Sequence, residues 1–141
     1  MDEALIQASE LYREHILDHY KHPRNFGALK DAEIRQRELN PLCGDELEFF
    51  LKLGVNGHKS MIQDVKFRGH GCAISQASAS IFSEMIKGKS LEDVERMKTD
   101  DIIQELAIPI GPVRHKCAVL SVMTVKAGIE NYKNTTRGKN E

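Results

Sequence analysis

Apolar and polar positions along this chain follow two different periods, and the switches between them mark the elements. From Ala4 to about Tyr20 the apolar residues Leu5, Ala8, Tyr12, Ile16 and Tyr20 fall three or four apart, the spacing of one helix face. Pro23 predicts the end of that helix, because the residue before a proline is pushed out of the helical region. His22 to Leu29 reads as a loop turning at Asn25 to Gly27. Period two then takes over. A first strand is expected over Glu33 to Glu38. Leu47, Phe49, Leu51 and Leu53 alternate with Glu46, Glu48, Phe50 and Lys52, which predicts a second strand with one face toward a core. Asn56-Gly57 is a hairpin signal, and Ile62 to Arg68 is the expected return strand, with Val65 and Phe67 inward.

After Gly69 and Gly71 the period changes again. Ile74, Ala77, Ile81 and Met85 predict a helix that stops at Gly88. Ser90 with Asp93 three residues on resembles a capping box for a short helix, and Thr99 is expected to cap another that ends near Leu106. Pro109, Gly111 and Pro112 predict a loop. A final helix from about Arg114 to Tyr132 is apolar on more than one side, through Val119, Leu120, Val122, Met123, Val125 and Ile129, and is expected to be well buried. Residues 133–141 read as a polar, disordered tail. These elements sum to an α+β fold, a small antiparallel sheet of about three strands with helices packed on one face. With no repeat, low-complexity block or linker, residues 1–141 read as a single domain.

Charge narrows the partners. Twenty basic against 21 acidic residues leave a formal net charge of -1, so nothing electrostatic points to nucleic acid or to an anionic membrane. No stretch approaches the roughly 20 apolar residues of a membrane span. The first fifteen residues carry early acids and no apolar h-region, so they do not read as a signal peptide. The expected location is the cytoplasm.

The chemistry is in the cysteines. Cys43, Cys72 and Cys117 are odd in number, so they cannot all pair internally, and cytoplasmic thiols are kept reduced. All three fall at element ends: Cys43 in the turn before the second strand, Cys72 between a strand and a helix N-terminus, Cys117 near the start of the final helix. Unpaired N–H groups at a helix N-terminus favour thiolate over thiol, and thiolate is both metal ligand and nucleophile. Asp45 is two residues from Cys43, so in extended chain the two side chains can share one side. Cys43, Asp45, Cys72 and Cys117 then make a four-ligand set suited to tetrahedral zinc or iron. The bland alternative is that free cysteine often serves as a small buried hydrophobe. His115 is a candidate alternative ligand or proton carrier, and Lys116 a candidate for steadying thiolate charge at Cys117. His70 is expected on the outward face of its strand, and His15, His19 and His22 as decoration of the first helix.

Four segments resemble one known family. Leu11-Tyr12-Arg13 with Asp18-His19-Tyr20 and His22-Pro23-Arg24-Asn25, then Asn40-Pro41-Leu42-Cys43-Gly44-Asp45, then the run from Gly69 to Ser80, and finally Arg114 to Leu120 are similar in order to the motifs of the IscU/SufU/NifU N-terminal family. The resemblance runs from about residue 11 to 132. It implies assembly of iron–sulfur clusters, a transient [2Fe–2S] cluster among them, on Cys43, Asp45, Cys72 and Cys117. It also implies sulfur received from a cysteine desulfurase, with Cys43 and Cys117 as acceptor candidates, and cluster or sulfur passed to acceptor apo-proteins. Pro112-Val113-Arg114 partly resembles the segment that an Hsp70-type chaperone grips in the IscU branch. Lys116 stands where that branch has histidine, as in the SufU branch, yet the SufU insertion between the second and third cysteines is missing. A zinc-dependent sulfurtransferase of the SufU type is therefore an alternative to a true scaffold. Neither is a classical enzyme. Two further readings stay open: a cysteine hydrolase or transferase with His115 as base and Asp45 as orienter, and a passive zinc-stabilised interaction domain.

Overall fold

The computed structural model describes residues 13–41 and 44–139. Residues 13–21 are helical (α1). They are followed by β1 Ile34–Asn40, β2 Asp45–Asn56, β3 Lys59–His70, α2 Ala73–Ile86, α3 Leu91–Arg96, α4 Thr99–Leu106 and α5 Pro112–Lys139. The strands form one antiparallel sheet in the order β1-β2-β3. Helices α2 and α5 pack on one face of it, α2 against β3 and α5 against β1 and β2. This is the expected α+β architecture.

Alternation along β2 builds the core. Leu47, Phe49 and Leu51 are all fully buried; Phe49 stacks on Phe67 with centroids 5.6 Å apart and meets Phe82 of α2 edge-on at 6.5 Å. Truncating Phe49 to alanine in such a site costs about 3–5 kcal/mol. A bulge keeps β3 in phase: Lys52 pairs with Asp64 but Leu53 with Ile62. Two residues instead of one thus separate inward Ile62 from inward Val65. Gly128 lets α5 approach β1, since a Cβ there would lie 2.9 Å from side-chain carbons of both Ile34 and Gln36.

Several features differ from the sequence reading. Phe50, on the outward face, is only 3 % exposed, because the Arg35 and Arg68 guanidiniums lie over its ring at 5.2 and 5.3 Å while both donate to Glu48 at 2.8 Å. Helix α4 is capped at Lys98, not Thr99: the Lys98 N–H donates to the Asp101 carboxylate at 2.8 Å. Helix α5 begins at Pro112, which suits a first helical position because its missing N–H would be unpaired there anyway. The same helix runs to Lys139, so residues 133–139 of the expected tail are helical. The Lys133 ammonium donates to Glu95 of α3 at 3.0 Å, which ties the extension down, and the Thr135 and Thr136 hydroxyls donate to carbonyls four residues back within the same helix. The expected helix over residues 4–12 lies outside the described residues.

Serines on the buried face of α2 fix its neighbours. The Ser78 hydroxyl donates to the Ala118 carbonyl at 2.6 Å, locking α5 to α2. Ser80 Oγ accepts the Arg24 N–H at 2.8 Å and meets His19 Nδ1 at 2.8 Å, locking α1 and the following loop. His19 is thus 5 % exposed and a packing residue, where decoration of the helix surface was expected.

Candidate metal centre

The Ser78 bond places the start of α5 beside the start of α2, and the end of the β1–β2 ladder closes the third side. Asp45 opens β2 and is fully buried; Cys72 is the N-cap of α2 and half-buried; Cys117 is 2 % exposed. One ligand atom from each of these three residues lies within 4.8 Å of the other two. Separations of 27 and 45 residues are closed by the fold, as the placement at element ends predicts.

Hydrogen bonds order this group. Cys72 makes no capping bond with its own side chain. Its N–H instead donates to Asp45 Oδ1 at 2.8 Å, while its thiol points to Asp45 Oδ2 at 3.7 Å. One carboxylate oxygen is therefore committed to backbone and the other faces the sulfurs. The Asn40 amide contacts the Cys117 sulfur, with Nδ2 at 3.9 Å from Sγ. Cys117 lies past the first turn of α5, where the help of the helix dipole has faded, so a side-chain partner matters more than the sequence position suggests. Asn40 was missed as a site residue. Its signal was the cross-strand register with Asp45, which sequence alone leaves open.

The remaining candidates fall outside the group. His70 is exposed on the outward face, as expected, and its Nε2 lies 3.1 Å from Glu46, which also pairs with Arg37. His115 and Lys116 are exposed, and neither belongs to the three-residue cluster. Cys43 lies outside the described residues. An open groove of about 340 Å³, lined in part by Tyr20, Pro23, Phe26 and His70, runs beside Gly71. No helix among the described residues is long and apolar enough to cross a membrane.

Two cysteine sulfurs with one carboxyl group make a donor set that zinc and iron both accept. The model of the NifU-like N terminal domain matches residues 11–139. The iron–sulfur cluster assembly scaffold protein IscU of Haemophilus influenzae is 39% identical over 125 residues, covering 86% of this chain and 95% of that protein. IscU of Escherichia coli K12 is 35% identical over 131 residues, covering 91% and 98%. Among solved structures, a candidate scaffold protein for the SUF system from Fervidobacterium islandicum AW-1 superposes with a TM-score of 0.63 at 30% identity, over 82% of this chain and 94% of that one. This chain belongs to the NifU-like N-terminal domain family.

Proposed function

We propose that this chain is a single-domain, cytoplasmic scaffold for iron–sulfur cluster assembly. In this reading it gathers iron, zinc or a nascent [2Fe–2S] cluster on Cys43, Asp45, Cys72 and Cys117. It takes sulfur from a cysteine desulfurase and hands cluster or sulfur to acceptor apo-proteins. The observation that carries the reading is the convergence of Asp45, Cys72 and Cys117 within 4.8 Å, in a chain whose relatives are scaffolds by name. Metal and cluster are cargo here. The protein's part is to supply thiolates in a fixed array with one oxygen that is easily displaced. Four cysteines are the usual cluster holders, so replacing one sulfur by the harder Asp45 oxygen weakens the grip and suits a protein that gives its cargo away.

Sulfur delivery balances as a transfer between thiols. The acceptor thiolate attacks the terminal sulfur of the desulfurase persulfide, the sulfur–sulfur bond breaks, and the desulfurase cysteine leaves as thiolate. Of the two acceptor candidates Cys117 is buried, and this reading takes Cys43 as the first. Mass spectrometry after reaction with a cysteine desulfurase tests this: the added sulfur should vanish in Cys43→Ser and persist in Cys117→Ser. An Hsp70-type chaperone that grips Pro112-Val113-Arg114 is a further partner in this reading, supported by the exposure of Val113 at the start of α5.

The SufU-type sulfurtransferase is the second reading, favoured by Lys116 immediately before Cys117. Protein purified without oxygen separates the two: bound zinc without colour supports the sulfurtransferase, a coloured cluster the scaffold. The exposure of His115 against the burial of Cys117 speaks against those two as base and nucleophile of a hydrolase.

A further inference from the structure

The last rung of the β1–β2 ladder pairs Asn40 with Asp45. Residues directly opposite in an antiparallel pair project to the same face, so both side chains are aimed at the cysteines. Both are buried, Asn40 at 7 % exposure and Asp45 at 0 %. They divide the cluster between them: Asp45 contacts Cys72 through its N–H and its thiol, and Asn40 contacts the Cys117 sulfur. A thiolate or a metal-bound sulfur can only accept a hydrogen bond, whereas a carboxamide offers both a donor and an acceptor end. The contact therefore selects the NH₂ end of Asn40. Burying an amide is unfavourable unless it is matched, and the Cys117 sulfur is one of the partners that match it.

We propose that Asn40 is a positioning residue for Cys117. Its side-chain N–H donates to the Cys117 sulfur, fixes the direction in which that sulfur presents its lone pairs, and draws electron density from it when it binds a metal. The inference rests on Cys117 being a ligand, as the proposed function holds. Partners that hydrogen-bond to a ligand orient it and tune the metal, and hydrogen bonds to ligand sulfur are among the determinants of cluster potential. Two residues of one rung thus govern two different ligands, Asp45 by offering a displaceable oxygen and Asn40 by restraining a sulfur.

Cobalt(II) is the probe, added under argon to the full chain, and the reading is the sulfur-to-cobalt charge-transfer band. Wild type is compared with Cys117→Ser and with Asn40→Leu and Asn40→Val, which lack a donor. The expected result is a band that weakens in Cys117→Ser and moves to longer wavelength in both Asn40 variants, because the sulfur lone pair has lost its hydrogen bond. Cobalt affinity should fall on the order of 10–100-fold, the usual cost of removing such a partner. A band that weakens in Cys117→Ser but stays at the wild-type wavelength in a folded Asn40 variant overturns the role of Asn40 and leaves the proposed function standing. No band in wild type, or one unchanged in Cys117→Ser, overturns both. Failure of both Asn40 variants to fold would make the residue structural and also overturn the inference.

Discussion

The side chain that Gly71 lacks is replaced by the carboxylate of Asp45. A Cβ at position 71 would lie 2.1 Å from Asp45 Oδ1, the oxygen that accepts the Cys72 N–H at 2.8 Å. The backbone of Gly71, at φ +147°, is also one that L side chains rarely adopt. Glycine is thus what lets Asp45 reach the N-terminus of α2.

Gly71→Ala should therefore damage stability and site together. Alanine at a positive-φ site costs more than the roughly 1 kcal/mol by which a tolerated glycine replacement helps. Here the added methyl group also drives Asp45 away from Cys72. Denaturant unfolding and zinc titration should both worsen. Zinc affinity equal to wild type would show that Asp45 is not held in place for a metal.

Asp45→Ala separates the two jobs of that carboxylate. Losing a buried acceptor of the Cys72 N–H should cost the metal-free fold about 1–3 kcal/mol. Cluster release should nonetheless slow, because the three thiolates remain and the displaceable oxygen is gone; Asp45→Cys should tighten zinc by adding a fourth sulfur. The rate of transfer to an acceptor ferredoxin decides. Equal rates for wild type and Asp45→Ala would make Asp45 structural only.

A pH dependence follows from His19. Burial lowers its pKa below the ordinary 6.5, with the charges of Arg24 and His15 acting in the same direction and Glu84 and Asp18 against. The unfolded chain then binds a proton that the folded chain refuses. This contribution to stability is complete above 6.5 and is lost as pH falls from 6.5 toward the lowered folded value. His19→Gln should remove that slope in thermal unfolding measured across the window. A slope identical to wild type would show that the His19–Ser80 contact tolerates the imidazolium.

Much of this was legible in the sequence because period and punctuation were strong. The alternation from Leu47 to Leu53 set β2 and its inward face, and the three-and-four spacing after Cys72 set α2. What escaped depends on partners far away in the chain. Phe50 is covered by Arg35 and Arg68, residues 15 and 18 positions away. His19 is buried only because α2 offers Ser80, 61 residues on. Asn40 read as a turn residue before Pro41, since its link to Cys117 spans 77 residues. Asp45 and Cys72 were legible together because each stood at an element end beside the chain's turns, whereas Cys117 lies a turn further into α5 than its sequence position suggested.

Metal analysis of protein purified without oxygen tests the central claim most directly, run on wild type and on Cys43→Ser, Cys72→Ser and Cys117→Ser. Binding by one shared site predicts about one zinc or iron per wild-type chain in the tetrahedral ligand set, with a marked loss in each variant. It also predicts that a chelator lowers the unfolding temperature without abolishing the far-ultraviolet helical signal, since metal adds stability to a fold its own core sustains. Metal content undiminished in both Cys72→Ser and Cys117→Ser would contradict the account.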